Sequence, residues 1–362
     1  MKTDCKVTTS TLLEDPEWDA FVASAPGGHH VQTSGWARVK SILGWKVTRV
    51  SVKDRGGIIG GAQVLIRPLP VVGSACYVTK GPLCQRNDPD LAKTVLHEII
   101  QIGRRNRCQF MAIQPPNNGE YLGEHLESLN FRSGNLELAP TASLRIDLGE
   151  GPETIMARMK RETRHHIRQS ERAGIVVREG DQSDLDIFYH LYLTTAKRQG
   201  FTPYKRKYFD MFWQTFAPLG WIVLLIACHE YEAVSAQLLI PFGDTVVAKM
   251  VGWSGGHSKR RPNDALYWAS IQWAIQHGYT YFDFEGVDPL GAREIINGRK
   301  LSEVPGLSQD IKKYGYGGKV VLYPPVYDYL PNKMYDWVYR RIAHKIGSNS
   351  LTYRFVEHLR KR

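Results

Sequence analysis

The sequence lacks long apolar stretches and paired-cysteine motifs. Its longest uninterrupted apolar run, Trp221 to Cys228, has eight residues, whereas a helix that spans a bilayer needs about 20. The five cysteines are scattered, and none forms a CxxC pair or a Cys/His set at zinc spacing, which disfavours a disulfide framework and a structural zinc. The N-terminus has no apolar core of the kind found in signal peptides. We therefore expect a cytoplasmic protein without a metal.

Motifs for several common chemistries are also missing. The chain has no GxxxxGK[ST] loop and no HExxH motif, so P-loop phosphoryl transfer and zinc-protease chemistry have no support. Residues 252–256 match GxSxG, but a basic, proline-containing loop follows where a nucleophile elbow needs a helix. We therefore do not expect Ser254 to act as a nucleophile.

Basic residues exceed acidic ones. There are 47 Lys and Arg residues against 36 Asp and Glu, a formal net charge of +11. Many soluble proteins are basic, but this excess favours a polyanionic partner such as nucleic acid, a phosphorylated metabolite or an anionic membrane face. With 362 residues, of which 43% are hydrophobic and 23% charged, the chain has the composition of a globular protein of about two domains.

A similar order of elements occurs twice along the chain. In each half, hydrophobic periodicity predicts two helices, three strands, a further helix and a closing strand. The strands are predicted at 45–52, 58–67, 75–79 and 109–114, and again at 221–228, 233–240, 245–253 and 279–285. A doubly wound Rossmann sheet needs helices between successive strands, so this order argues against it. It indicates an α/β (α+β) protein of two tandem GNAT-like acyltransferase modules with mostly antiparallel sheets.

We place the first module at residues 1–145, completed by residues 318–362, and the second at residues 146–317. Neither module contains the Q/R-x-x-G-x-G/A pyrophosphate loop that acetyl-CoA-dependent acyltransferases usually carry before their third helix. Residues 82–89 and 257–263 occupy that position. The sequence therefore disfavours acyl-CoA as the acyl donor, and we expect no cofactor.

Two segments concentrate the positive charge. Residues 153–173 are predicted to form one helix, with Arg161, Arg164 and Arg168 along one face and few acids to balance them. This pattern fits either a solvated face or a surface that binds the phosphates of RNA. Residues 335–362 interleave basic and aromatic side chains, which favours a packed C-terminal helix with a frayed tail over a surface for a membrane or RNA.

Five local motifs resemble those of one family. They are Gln32-Thr-Ser-Gly-Trp-Ala-Arg-Val-Lys40, Tyr77-Val-Thr-Lys-Gly-Pro82, the basic helix ending at Gly174, residues 266–287 with Tyr281-Phe-Asp-Phe-Glu-Gly286, and Lys312-Lys-Tyr-Gly-Tyr-Gly-Gly318. In this order, on a duplicated acyltransferase scaffold, they resemble the Fem (FemABX) family of aminoacyl-tRNA-dependent non-ribosomal peptidyltransferases. The helical hairpin that some members insert is missing, so the chain resembles the shorter subgroup.

The resemblance implies an enzyme of peptidoglycan synthesis, and thus of cell-wall biogenesis and cell shape. Such an aminoacyltransferase moves an amino acid from aminoacyl-tRNA to an amine of the precursor's stem peptide, which forms an interpeptide bridge or branch. The implied acceptor is a UDP- or lipid-linked muropeptide, so contact with the inner membrane face is a further expectation. No metal or other cofactor is implied.

The resemblance also implies a set of site residues. A lysine from the pair Lys312 and Lys313 would supply positive charge to the oxyanion that develops on the ester carbonyl. Lys40 would contact the acceptor's phosphates, and the family's acceptor-binding arginine falls near Tyr204. Further substrate-binding candidates are Trp36, Gln114, Lys205, Arg206, Tyr208 and Tyr316. For Trp36 alone, a position in the core is favoured.

Asp283 and Glu285 are the candidates for a general base. They alternate with aromatic residues on a predicted strand, so both side chains are expected to point the same way. Buried carboxylates can have raised pKa values that suit proton transfer. The alternative for either residue is to cap a loop.

Two other functions stay open at this point. The first is a tRNA-dependent or other N-acyltransferase that acts on a secondary metabolite. The second is a non-catalytic basic protein that binds RNA or a membrane surface.

Overall fold

A computed structural model describes residues 5–69, 71–134, 138–300 and 310–343. They form two compact units: the first contains the described residues up to Ala139 and from Tyr323 onward, and the second runs from Pro140 to Leu322. The rest of the basic C-terminal segment, after residue 343, lies outside the described residues. In the part of the chain that the structure describes, no helix combines the length and apolar character that a membrane crossing requires.

The first unit is one sheet with its helices. Its strands are β1 (Lys6–Ser10), β2 (Lys46–Asp54), β3 (Gly57–Leu69), β4 (Gly73–Thr79), β5 (Leu83–Cys84), β6 (Cys108–Gln114), β7 (Arg132–Ser133) and, from the end of the chain, β15 (Tyr327–Tyr329). Its helices are α1 (Pro16–Ser24), α2 (Ser34–Ser41), α3 (Pro89–Arg105), α4 (Leu122–Ser128) and α11 (Lys333–Ala343). The strand order is β1-β2-β3-β4-β6-β15-β7, with β5 paired to β3.

The second unit has a sheet of its own. Its strands are β8 (Ala142–Asp147), β9 (Ile175–Gly180), β10 (Val223–His229), β11 (Glu232–Phe242), β12 (Thr245–Trp253), β13 (Tyr281–Asp283) and β14 (Lys319–Leu322). Its helices are α5 (Gly151–Arg158), α6 (Arg161–Arg172), α7 (Leu185–Gln199), α8 (Arg206–Phe216), α9 (Pro262–Gln276) and α10 (Pro289–Ile296). The strand order is β14-β8-β13-β12-β11-β10-β9.

The duplicated order predicted from the sequence is confirmed. In the first unit α1 and α2 precede β2, β3 and β4, and then come α3 and β6; in the second, α7 and α8 precede β10, β11 and β12, and then come α9 and β13. In both units the three strands are antiparallel neighbours, and the closing strand runs parallel to the third. Each unit therefore has the GNAT-like order.

Local sequence explains where α3 begins and what it buries. The Asp88 carboxylate accepts hydrogen bonds from the backbone N–H groups of Asp90 and Leu91, at 3.0 and 3.1 Å, which satisfies two donors that the first turn leaves open. Val95 and Ile99, one turn apart, are fully buried in the core of the first unit. The helix is thus specified by its cap and by its apolar face.

The unit boundaries lie a few residues from those expected at 145/146 and 317/318. The reason is that β8 and β14 pair with each other, and β8 also pairs with β13. Both strands therefore belong to the second sheet. β15 lies between β6 and β7 in the first sheet, so the C-terminal part of the chain joins the first unit only from Tyr323 onward.

The single helix expected over residues 153–173 is wrong, because two helices replace it. α5 and α6 are separated at Met159 and Lys160, whose ψ angles of 149° and 147° are extended. The backbone N–H of Lys160 donates to the carbonyl of Gly315 at 2.8 Å. A contact with a segment some 150 residues away in the chain therefore interrupts the helix. Local hydrophobic periodicity cannot predict such a contact.

α11 packs against the first sheet through Tyr339. Its ring centroid lies 5.8 Å from that of Phe110, and its hydroxyl donates to Asp328 at 3.3 Å. On the same helix Met334 and Trp337 are 63% and 56% exposed. For the described residues of this segment, the packed-helix interpretation is confirmed.

Candidate functional site

Two parallel strands separate in the second sheet. β12 has nine residues, but it pairs with β13 only over Tyr281–Asp283. The equivalent strands of the first unit, β4 and β6, stay paired from Ser74 to Thr79. We call the region between β12 and the chain that follows Asp283 the wedge. The parallel strands of the second unit therefore diverge after Asp283, whereas those of the first unit stay paired up to Thr79 and Gln114.

A β-bulge places a lysine at the wedge. Ala248 and Met250 of β12 pair with consecutive residues of β11, so Lys249 between them is an extra residue. Bulges re-aim a side chain and occur often beside active sites. The Lys249 ammonium forms an ion pair with the Glu285 carboxylate, and the two side chains are only 15% and 13% exposed. This pair links the two diverging strands.

Glu285 lies beyond the end of β13 with a φ of +48°, in the left-handed region that residues other than glycine seldom adopt. The prediction that Asp283 and Glu285 share a strand is therefore wrong. β13 ends at Asp283, where its pairing with β12 also ends. The Asp283 carboxylate accepts hydrogen bonds from the backbone N–H of Glu285, at 2.7 Å, and from the Ser143 hydroxyl. It caps the turn that presents Glu285.

The surroundings of Glu285 alter its proton affinity. Burial raises the pKa of this carboxyl above its ordinary value, and the Lys249 ion pair opposes the rise. A raised pKa makes Glu285 a better proton acceptor than a solvated glutamate. Of the two carboxylates that the sequence nominates, Glu285 therefore has the environment of a base.

Lys313 lies beside Glu285 and is held by two contacts. Its ammonium donates to the carbonyl of Gly286 at 2.5 Å and lies 3.4 Å from the carboxylate of Asp310. The Lys312 side chain, in contrast, is exposed. Of the two lysines that the sequence leaves eligible, the structure brings Lys313 to the wedge. We call Lys249, Glu285, Lys313 and Asp310 the lysine cluster.

Two glycines let the segment that carries Lys313 approach the break between α5 and α6. A Cβ on Gly315 would lie 2.3 Å from the Thr163 hydroxyl, and one on Gly317 would lie 2.7 Å from the carbonyl of Arg158. Gly317 also has a φ of +73°, which favours glycine. The Gly-rich motif thus fixes a close backbone contact, which in turn positions Lys313.

Replacing Gly317 with alanine is expected to destabilise the protein more than replacing Gly278. Both glycines have positive φ, but a Cβ on Gly278 would meet no atom within 4 Å. Each substitution costs about 1–2 kcal/mol for the left-handed backbone, and Gly317→Ala adds about 1–3 kcal/mol for crowding. Urea unfolding monitored by tryptophan fluorescence measures the difference. Equal losses in the two variants would contradict the close contact.

Tyr316 supports the Gly-rich segment from the core. Its ring centroid lies 5.2 Å from that of Phe284 and 5.6 Å from that of Tyr267, and the residue is 2% exposed. Its hydroxyl donates to Asp264 at 3.5 Å. Burial raises the pKa of Tyr267 to about 12, so this phenol stays protonated at neutral pH. Tyr316, which is expected to contact substrate, thus has almost no accessible surface in this structure.

A buried carboxylate joins α9, α6 and the Gly-rich segment. Besides Tyr316, Asp264 faces the imidazole of His166, with Oδ1 and Nδ1 3.9 Å apart. Burial raises the pKa of Asp264, and His166 and Lys312 oppose the rise. Burial lowers the pKa of His166. Asp264 therefore contacts both α6, which carries the arginines, and the segment that carries Lys313.

The three arginines expected to bind phosphate lie on α6. Arg161 and Arg168 are exposed, whereas the Arg164 guanidinium donates to the carbonyls of Ala157 and Met159 at 2.9 and 2.6 Å. Arg164 therefore caps the end of α5 and is partly committed to the fold. The buried face of α6 is formed by Thr163, Ile167 and Ser170, which leaves the arginines on the outer face.

The acceptor candidates of the first unit are buried. Trp36 is 7% exposed, so its core position is confirmed, and the Lys40 ammonium lies 5.2 Å from the centroid of that ring. Gln114 has no exposed surface. Its side-chain amide donates to the carbonyl of Ala139 at 3.1 Å and accepts a hydrogen bond from the backbone N–H of Ala139 at 2.8 Å. In this structure the Gln114 side chain joins the end of β6 to a neighbouring loop, and its substrate contact stays a prediction.

The candidates at residues 204–208 belong to the second unit. Tyr204 and Tyr208 stack with ring centroids 4.2 Å apart, and Tyr208 is 1% exposed. The Arg206 guanidinium pairs with Asp186 at 2.9 Å and with Asp210, so its charge is balanced locally. Lys205 is exposed. Of this group, the structure leaves Lys205 and Tyr204 accessible for a ligand.

Sequence reasoning missed four residues at the site: Lys249, Asp310, Asp264 and His166. The one available signal was Lys249, a lysine inside an otherwise apolar predicted strand. The other three are recognisable only from their contacts. Within residues 5–69, 71–134, 138–300 and 310–343, no three His, Cys, Asp or Glu side chains are arranged to hold a metal ion.

Comparisons with known proteins agree with the two-unit architecture. The model of the FemAB family matches residues 13–137, and that of the acetyltransferase (GNAT) domain matches residues 157–292. The Lipid II:glycine glycyltransferase of Staphylococcus saprophyticus is 22% identical over 348 residues, which covers 76% of this chain and 84% of that protein. This chain is thus similar to the FemAB family over its first unit and to GNAT acetyltransferases over its second.

Two further comparisons bear on the extent of the family likeness. The Lipid II:glycine glycyltransferase of Staphylococcus aureus strain MRSA252 is 24% identical over 209 residues, 55% of this chain and 50% of that protein. The chain thus matches about half the length of that relative. The crystal structure of FemX superposes with a TM-score of 0.77 at 19% identity and covers 93% of this chain and 100% of that one. At this identity the likeness shows a shared fold.

Proposed function

We propose that this chain is an aminoacyltransferase of the FemAB family that moves an amino acid from aminoacyl-tRNA to an amine of a peptidoglycan precursor's stem peptide. The product is an interpeptide bridge or branch. One observation carries the proposal: the lysine cluster lies at the wedge of the GNAT-like second unit, with Lys249 and Glu285 paired across the diverging strands. The names of the relatives, Lipid II:glycine glycyltransferase, support a peptidoglycan acceptor.

The proposed reaction is an ester aminolysis. The neutral amine of the acceptor forms a bond to the carbonyl carbon of the aminoacyl ester, and the negative charge moves onto the carbonyl oxygen. The bond to the tRNA ribose oxygen then breaks. The proton lost by the amine passes to Glu285 and from there to the departing oxygen. Held geometry and fixed positive charge lower the barrier of such a step.

The two lysines of the cluster have distinct roles in this proposal. Lys313 is anchored on the Gly286 carbonyl and supplies the positive charge that faces the oxyanion. Lys249 is the counter-ion of Glu285. When Glu285 takes the proton, the Lys249 charge loses its partner at the moment the oxyanion forms. Proton transfer thereby strengthens the electrostatic stabilisation that the oxyanion receives.

The proposed acceptor carries phosphates, whether it is UDP-linked or lipid-linked. Lys205 and Tyr204 in the second unit are its proposed contacts. A lipid-linked acceptor also requires access to the inner membrane face. The exposed Met334 and Trp337 of α11, with Arg341 stacked 4.2 Å over the Trp337 ring, have the amphipathic character of a surface that contacts lipid head groups.

The test is to incubate the protein with a full set of charged tRNAs and either UDP-linked muropeptide or lipid II. We expect the muropeptide mass to rise by one or more aminoacyl residues. Modification only of small amines from a biosynthetic extract would indicate the secondary-metabolite N-acyltransferase instead. Salt-dependent tRNA binding with no turnover on any acceptor would indicate the non-catalytic RNA-binding alternative.

A further inference from the structure

The loop before α9 continues the basic surface of α6. The Gln169 amide on α6 donates to the carbonyl of Lys259 at 2.8 Å, so the two segments are joined. Lys259 and Arg260 are exposed. His257 and Arg261, at the two ends of the loop, have φ values of +54° and +57°. Residues other than glycine seldom adopt this left-handed backbone conformation. The loop is therefore a defined structure that projects two cations beside the helix.

An open depression of about 650 Å³ lies along α6. It is lined by Arg161, Arg164, His165, Arg168, Glu171 and Arg172. Within the described ranges, none of the four arginines forms an ion pair, whereas Arg158, Arg178 and Arg206 of the same unit each pair with an acid. Unpaired arginines in a row repel one another, so their number on one helix face points to an anionic ligand.

The basic surface also adjoins the proposed reaction site. The backbone N–H of Lys160, just before α6, donates to the carbonyl of Gly315, two residues beyond Lys313. A donor whose phosphates lie along α6 would thus have its end close to the segment that carries the proposed oxyanion lysine. A string of phosphates at regular spacing, as in RNA, matches several separate cations better than one pyrophosphate does.

We infer that α6 and residues 258–261 form a composite site for the phosphodiester backbone of the donor RNA, with Arg168, Arg172, Lys259 and Arg260 among its accessible cations. This inference rests on the proposed function and adds its donor-docking surface. The loop occupies the position where a CoA enzyme carries its pyrophosphate loop, so the same place in the fold serves a longer polyanion. The Arg261 Nε atom, buried without a hydrogen-bond partner among the described residues, lies in this loop.

The test compares two variants that lose equal charge. The first combines Arg168→Gln, Arg172→Gln, Lys259→Gln and Arg260→Gln, and the second combines Arg104→Gln, Arg105→Gln, Lys93→Gln and Lys46→Gln in the first unit. Uncharged tRNA binding is measured by fluorescence anisotropy from about 50 to 200 mM salt. We expect the first variant to bind about tenfold or more weakly, with the slope of log K against log[salt] reduced by about 3. The second should retain nearly the wild-type slope.

Two outcomes would overturn the inference. One is an equal reduction of the slope in both variants, which would mean that only net charge matters. The other is unchanged tRNA binding in the first variant together with lost binding to vesicles of anionic phospholipid, which would assign the surface to a membrane. Since uncharged tRNA is the probe, the result does not depend on turnover. A wild-type protein that binds tRNA here but transfers nothing would contradict the proposed function alone.

Discussion

Replacing Lys313 with alanine is expected to lower the single-turnover rate of aminoacyl transfer by about 10²–10³-fold, the usual effect of removing one donor from an oxyanion site. The Lys313 ammonium is fixed by Gly286 and Asp310, so its charge is in place before the oxyanion develops. The measurement uses charged tRNA with a radiolabelled amino acid and a saturating acceptor. We expect substrate binding to change little, because the interaction forms mainly in the transition state.

The adjacent Lys312 provides the matched control. Its side chain is exposed, so Lys312→Ala removes the same charge one residue away and should retain most of the wild-type rate. An additional variant, Lys313→Arg, keeps the charge but not the geometry, and should recover only part of the activity. If Lys312→Ala loses as much activity as Lys313→Ala, the placement of the oxyanion charge is wrong.

Replacing Glu285 with glutamine is expected to lower the transfer rate by about 10²-fold or more, within the range for loss of a general base. Glutamine keeps the shape of the side chain but cannot accept the proton. The wild-type rate should fall as the pH drops through the pKa of Glu285. Because burial raises that pKa, the fall should begin at a higher pH than for a solvated glutamate. The pH profile of Glu285→Gln should lack this acidic limb.

Lys249→Met tests the assignment of Glu285 as the base by removing its ion-pair partner. Loss of the cation removes the contribution that lowers the pKa of Glu285, so the acidic limb should move to higher pH. The rate on the plateau should also fall, because one positive charge near the oxyanion is gone.

Glu285→Asp is the control for Glu285→Gln, since it keeps the carboxylate and shortens its reach. An acidic limb that persists unchanged in Glu285→Gln would rule out Glu285 as the proton acceptor.

The elements set by local chemistry were predictable from the sequence. The predicted strand 245–253 coincides with β12, Thr245–Trp253, since its apolar run is bounded by a Gly-Asp turn and a glycine-rich segment. α3 begins directly after its capping residue, Asp88. The repeated order followed from the same periodicity, and with it the GNAT-like fold. The absence of a CoA loop argued against acyl-CoA as the donor, and the family resemblance of the Gly-rich motif nominated Lys312 and Lys313.

What sequence reasoning could not supply depends on contacts between distant segments. The bulge at Lys249 arises from the register between β12 and β11. β13 ends at Asp283 because its pairing with β12 ends there, and Glu285 therefore lies outside the strand. The break at Lys160 depends on Gly315. Gln114 was nominated from the family motif, yet the fold uses its amide to bond Ala139.

The most direct test of the central claim compares two donors on one acceptor. The wild-type protein is given muropeptide with charged tRNAs in one reaction and acetyl-CoA in another, and both product mass and deacylated tRNA are counted. The lysine cluster at the wedge predicts one deacylated tRNA for each aminoacyl residue added, with no product from acetyl-CoA. Acetylated product from the second reaction, with no aminoacyl addition in the first, would contradict it.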